Sequence, residues 1–211
     1  MKSFKQKSIL SSIRPVLVKM ERMHPFRMII YLVISVFCLI YATLSFFFIR
    51  HLAVELEGKY LFDLPDSFVI STIFLVATAH FASNIVPAYN REDISGIRRH
   101  LSVLMIAGLV FITTQTFAWL EIIKSDVENV SNNIATYLMV FSSIHFVQMA
   151  VGVVMALLAF YEYLLVEKDP VKMLIMTTNP HEKAKLQVFQ VYWKFLVLSW
   201  LVLFLLMLVA L

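Results

Sequence analysis

Five apolar stretches constrain this sequence more than any other feature, because each runs nearly uncharged over the roughly 20 positions a helix needs to cross a bilayer. They fall at about Arg27 to Ile49, Ser67 to Pro87, His100 to Leu120, Ile134 to Tyr161 and Val188 to Leu211. Hydrophobic residues make up 60% and charged residues 15% of the 211, where soluble domains average about 45–50% and about 25%. The expected fold class is all-α, a single integral membrane bundle of five transmembrane helices over residues 28–211. Phe is abundant and Gly scarce, which suits lipid-facing helices better than a pore lined by bare backbone.

The net charge of +4 resembles a nucleic-acid signal only until its placement is read. Seven basic residues precede Met28: Lys2, Lys5, Lys7, Arg14, Lys19, Arg22 and Arg27. Among them Ile9, Leu10, Ile13, Val16, Leu17 and Met20 recur at helical spacing, so residues 1–27 read as a basic amphipathic segment on a membrane face or a partner subunit. A basic stretch this long ahead of the first apolar run is not expected to be a cleavable signal. Arg91, Arg98 and Arg99 follow the second run, and Lys168, Lys172, Lys183 and Lys185 precede the fifth. The two intervening loops carry only Arg50 and Lys59, and then Lys124. This alternation places the N-terminus and the loops near residues 94 and 175 in the cytoplasm, with the C-terminus outside. Met173 to Met176 is too short to span and is expected to lie on the surface or on a partner.

The fourth run carries the most informative polar residues. Ser142, His145, Gln148 and Gly152 share one side of a helix. A histidine and a glutamine at mid-membrane are costly unless they face protein or water. Helix packing is the plain reading: His145 and Gln148 bond across helices while Ser142, Ser143, Gly152, Ala156 and Ala159 allow close approach. A proton, ion or metal site is the sharper one, although a lone histidine is a poor metal site. The single cysteine, Cys38, supplies neither a disulfide nor a thiolate cluster.

Catalytic signatures are absent: no H-E-x-x-H, no G-x-S-x-G and no phosphate-binding glycine loop. A low-spin haem usually takes two axial histidines on facing helices. His80 and His145 are expected about two turns apart in depth and do not form such a pair. Pro65 suits the start of the second helix, and Lys194 is placed two turns inside the fifth, close enough to the interface to snorkel.

Three short motifs and one aligned helix position carry a resemblance. Tyr192 to Leu201 reads Y-W-K-F-L-V-L-S-W-L, in which Trp193, Phe195 and Trp200 match the closing-helix pattern Y/F-W-H-F-x-D-x-x-W. Lys194 and Val197 stand for its histidine and aspartate. In F-S-S-I-H-F-V, Phe141 and His145 match F-H-G-x-H-V, with Ser142 and Ser143 in place of His and Gly, and Met149 where a further Gly falls. In the third run Gln115, Trp119 and Glu121 match L-Q-A-x-E-W-x-E, with Ala118 replacing a glutamate. Ser35 stands where the first helix would carry a membrane-embedded glutamate. The chain thus resembles the haem-copper oxidase subunit III family, in its short five-helix bacterial form, from about Met28 to Leu211.

The resemblance implies a non-catalytic subunit without redox cofactors, packed against catalytic subunit I of a respiratory terminal oxidase in a bacterial cytoplasmic membrane. Haem and copper would lie in partner subunits, and bound phospholipid is a further expectation. The family's role in proton uptake is weakened here by the missing carboxylates and histidines. Two alternatives stay open: an accessory subunit of a nitric-oxide reductase, and a small multipass transporter with His145 and Gln148 along its path. Transporters of that kind often show repeats and broken helices, and neither is visible.

Overall fold

A computed structural model describes residues 25–55, 66–128, 133–166 and 169–208. Six helices account for nearly all of them: α1 Pro25–Glu55, α2 Asp66–Asn90, α3 Ile94–Glu128, α4 Asn133–Val166, α5 Pro170–Thr178 and α6 Pro180–Leu208. Five, all but α5, are long and apolar enough to cross a membrane. The chain is an all-α, multipass membrane bundle. Most of the basic amphipathic segment read at 1–27 lies outside the described residues.

Each long helix starts before its apolar stretch, α6 by eight residues, and local capping sets the starts of α5 and α6. Asp169 accepts the backbone N–H groups of Val171 and Lys172, and Pro170 occupies the first helical position. Asn179 and Pro180 repeat the device for α6, with the His181 N–H donating to Asn179 Oδ1. The stretch between the fourth and fifth apolar runs therefore holds α5 and the first two turns of α6. Met173, Leu174 and Ile175 lie exposed on α5 while Met176 is buried, so the short apolar run does lie on the surface.

Only Arg91, Glu92 and Asp93 separate α2 from α3. Glu92 adopts a left-handed φ of 58°. The Asp93 N–H reaches back to the Ala88 carbonyl and the Glu92 N–H to that of Tyr89, a Schellman closure of α2. Asp93 then caps α3, accepting the Gly96 N–H at 2.8 Å and the Ser95 hydroxyl at 3.1 Å. Those two donors, led by the Gly96 N–H, hold the Asp93 carboxyl below the usual carboxylate range. A Cβ on residue 96 would collide with that carboxylate, so glycine is what lets the cap fold in.

Pro87 sits inside α2 and has no N–H for the Ser83 carbonyl. Gln190 of α6 supplies the missing donor, at 2.8 Å. A helix defect in one element is thus repaired by a side chain of another. The α2–α3 hairpin is the most extensive pairing, followed by α3 with α4 and α2 with α6; α6 also packs on α4 and α1. The start of α1, the ends of α2 and α4, and the α5–α6 elbow meet at one end of the bundle. There Arg27 bonds Gln187, Lys185 pairs with Glu162, and the Tyr89 hydroxyl lies 2.9 and 2.8 Å from the Met176 and Asn179 carbonyls.

Candidate functional site

Trp193 marks the centre of the molecule. Its indole N–H donates to the Thr78 hydroxyl at 2.9 Å, and Thr78 is the middle residue of α2. Its ring lies against Gly108 and Gly152, each one residue from the midpoint of its span. Three helices are therefore thinned at mid-height, by a threonine and two glycines, to seat one indole from the fourth. Side chains at the glycine positions would drive into Val153 and Leu196. Seven residues on, Trp200 repeats the bond to Thr72 at 2.8 Å and stacks on Phe68 at 5.9 Å.

The stripe on α4 fans out to three different neighbours. Ser142 accepts the Trp119 indole N–H of α3 at 2.8 Å. His145 is fully buried, and its Nε2 lies 2.9 Å from the Leu196 carbonyl of α6. A carbonyl only accepts, so Nε2 carries the hydrogen. Phe111 and Trp200 enclose the ring at centroid distances of 5.2 and 4.9 Å. Gln148 accepts the Tyr41 hydroxyl of α1 at 2.6 Å, and its backbone carbonyl accepts the Tyr192 hydroxyl of α6 at 2.8 Å. Gln115 on α3 is buried and donates to Ser71 of α2 at 3.1 Å. These bonds join all five spans.

The remaining motif residues divide by depth. Phe195, Trp193 and Trp200 are buried. Glu121 is exposed near the end of α3 and accepts the Ser67 hydroxyl at 3.1 Å, an end-to-end tie with α2. His80 lies on the exposed side of α2 beside Asn84, one helical turn on. It does not meet His145. The sequence pointed to the α4 stripe but not to Tyr41, Thr72, Thr78 or Tyr192. The seven-residue spacing of the two tryptophans and the six-residue spacing of the two threonines were the available signal.

Lys194 stands apart. It lies six residues past Val188, where the apolar run begins, and at the level where its neighbour Trp193 packs among the middles of α2, α3 and α4. It follows Trp193 directly and faces outward, exposed.

Two buried nitrogens, His145 Nδ1 and Gln148 Nε2, have no partner among the described residues. Nor, among those residues, do three His, Cys, Asp or Glu side chains gather as a metal site would need. At the basic end a cavity of about 440 Å³ opens between α1, α4 and α6. Ile29, Ile30, Leu158 and Phe189 line it, with Glu162, Glu182 and Lys185 at its polar edge. Comparison with known protein families finds no match, and none is found among curated proteins.

Proposed function

We propose that the chain is a non-catalytic, subunit III-like component of a bacterial respiratory terminal oxidase of the haem-copper type, stabilising the catalytic subunit in a cytoplasmic membrane. The observation that carries the reading is where the resembling residues fall. Gln115, Trp119, Phe141, His145, Trp193 and Trp200 come from three helices, and they touch one another or bond to adjoining helices around one centre. Motifs shared for such packing describe a scaffold. The substituted positions, Ser35, Ala118, Lys194 and Val197, remove acids and a histidine that proton uptake would use.

In this reading haem and copper belong to partner subunits, and subunit I takes part of the exposed surface. The apolar cavity with its charged edge is the place for a phospholipid acyl chain. The basic end of the bundle faces the cytoplasm by the positive-inside rule. No role in nucleic-acid binding is assigned. The test is purification of the tagged full-length chain from native membranes under mild detergent, with its companions identified by mass spectrometry and their haem by difference spectra. Stoichiometric haem-copper subunits support the assignment. A chain that purifies without any haem protein overturns it.

The transporter reading draws on the two unbonded nitrogens of His145 and Gln148. It requires them on a water path. His145→Ala separates the two: a scaffold loses some stability and keeps oxidase turnover, whereas a path loses flux in a normally assembled protein.

A further inference from the structure

We propose that the outward face of α6 docks a transmembrane helix of a different protein chain, and that this helix carries an Asp or Glu at mid-depth to pair with Lys194. The inference stands on the placement of Lys194 alone and holds whether or not the oxidase assignment does.

Lys194 lies between Trp193, packed at the middle of α2, α3 and α4, and Phe195, which is buried. Its own side chain points away from the bundle and is exposed. Along the same face run Leu198, Val202 and Leu205, exposed at 61%, 56% and 54%. The cation is thus set in an apolar stripe, with α1 packed on one part of α6 and α2 on another. Half the hydrocarbon thickness is roughly 15 Å, and a lysine stem reaches about 6 Å towards the helix start. Trp193 packs against Thr78, Gly108 and Gly152 near the middles of three neighbouring spans, so Lys194 sits near mid-height of the bundle and its ammonium group falls short of the headgroups. A charge held in hydrocarbon pairs with an opposite charge, faces water, or is selected against.

Among the described residues no acid answers it. No Asp or Glu lies in residues 28–54, 67–91, 94–120, 134–161 or 183–211. Glu121, Glu162 and Glu182, on the described helices, sit towards span ends. A second copy would bring the same empty mid-depth, so the complementary carboxylate belongs to another chain. An apolar helix with one central acid fits both the stripe and the charge.

Two measurements on the native complex test this. In membranes treated with a hydrophobic carbodiimide, the partner's carboxylate is activated and the Lys194 amine displaces the leaving group. The product is an amide, the carbodiimide takes up the oxygen as a urea, and nothing is oxidised. Mass spectrometry should find Lys194 joined to an Asp or Glu within an apolar span of a second protein. In parallel, Lys194→Met should lower recovery of that protein by more than about tenfold at equal levels of the tagged chain, while Lys194→Arg retains it. Loss of the partner with Met alone supports the ion pair. Unchanged companions in Lys194→Met overturn it. So does ready acylation of Lys194 by a membrane-impermeant amine reagent, which would place the group in water.

Discussion

Replacing Trp193 probes the centre of the bundle most directly. Lipid is as apolar as the protein interior, so the ring contributes through packing and its hydrogen bond rather than through removal from water. Trp193→Ala leaves a void of roughly 140 Å³, which at about 24 cal/mol per Å³ costs about 3 kcal/mol. Trp193→Phe opens roughly 40 Å³ and loses the bond to Thr78, about 1 kcal/mol and about 0.6 kcal/mol respectively. Thr78→Val removes the same bond from the other side while keeping the shape, so it should cost about 0.6 kcal/mol. The four proteins of the Trp193→Phe and Thr78→Val cycle are purified in mild detergent, titrated with SDS and read by pulse proteolysis. The expected coupling is about 0.6 kcal/mol and at most about 1.7 kcal/mol. Strictly additive effects would refute the hydrogen bond. A Trp193→Ala protein as stable as Thr78→Val would show that the indole does not fill the mid-height gap.

Four further outcomes follow from the same geometry. Tyr41→Phe strips Gln148 of its α1 partner and should loosen α1 by about 0.6–1.7 kcal/mol, read as faster proteolysis of α1 while the α2–α3 hairpin stays protected. Glu92→Gly relieves a left-handed φ and should stabilise the turn by about 1 kcal/mol in the SDS titration. The Asp93 carboxyl titrates lower in the fold than in the unfolded chain, so its contribution is complete above the ordinary carboxylate pKa and is lost as pH falls through the depressed value. Asp93→Asn should therefore flatten the acid limb of the stability curve, and Asp93→Ala should cost about 1 kcal/mol near neutrality. Cysteines placed at Ser95 and Thr178 should label only from the cytoplasmic face, and at Lys59 and Asn129 only from outside; outer labelling of Ser95 in sealed cells would invert the topology.

Span number was legible because it follows from hydrophobic runs, which are local. Helix length was not, because Asn179–Pro180 and Asp93 extend α6 and α3 by capping, and caps lie in polar sequence that reads as loop. The stripe of Ser142, His145 and Gln148 was legible for the same reason as the spans: polar residues in apolar surroundings are conspicuous. Their partners were hidden. Thr72 and Thr78 are ordinary in a membrane helix, since each can satisfy its hydroxyl on its own backbone, as both also do here. Only the facing tryptophans give them a second task. The start of α6 was hidden because its first two turns, Pro180 to Gln187, are polar and read as loop.

Polar groups inside the bundle and the charge outside it together bear on what kind of protein this is. Inward-facing hydroxyls, amides and indoles from all five spans bond helix to helix, and the densest set encloses His145 between aromatic rings. A transport path needs polar groups that face an opening and change partners. Here the gap beside Gly108 and Gly152 is filled by Trp193. The next residue, Lys194, presents a positive charge outward from an apolar stripe. Closed inside and charged outside fits the proposed role of a chain that holds other chains, with its specificity on α6. If that is so, mutations of the α4 stripe will be felt as stability, and mutations along Lys194, Leu198, Val202 and Leu205 as composition of the complex. The two sets lie on different helices, α4 and α6, so assembly and stability can be separated in a single background.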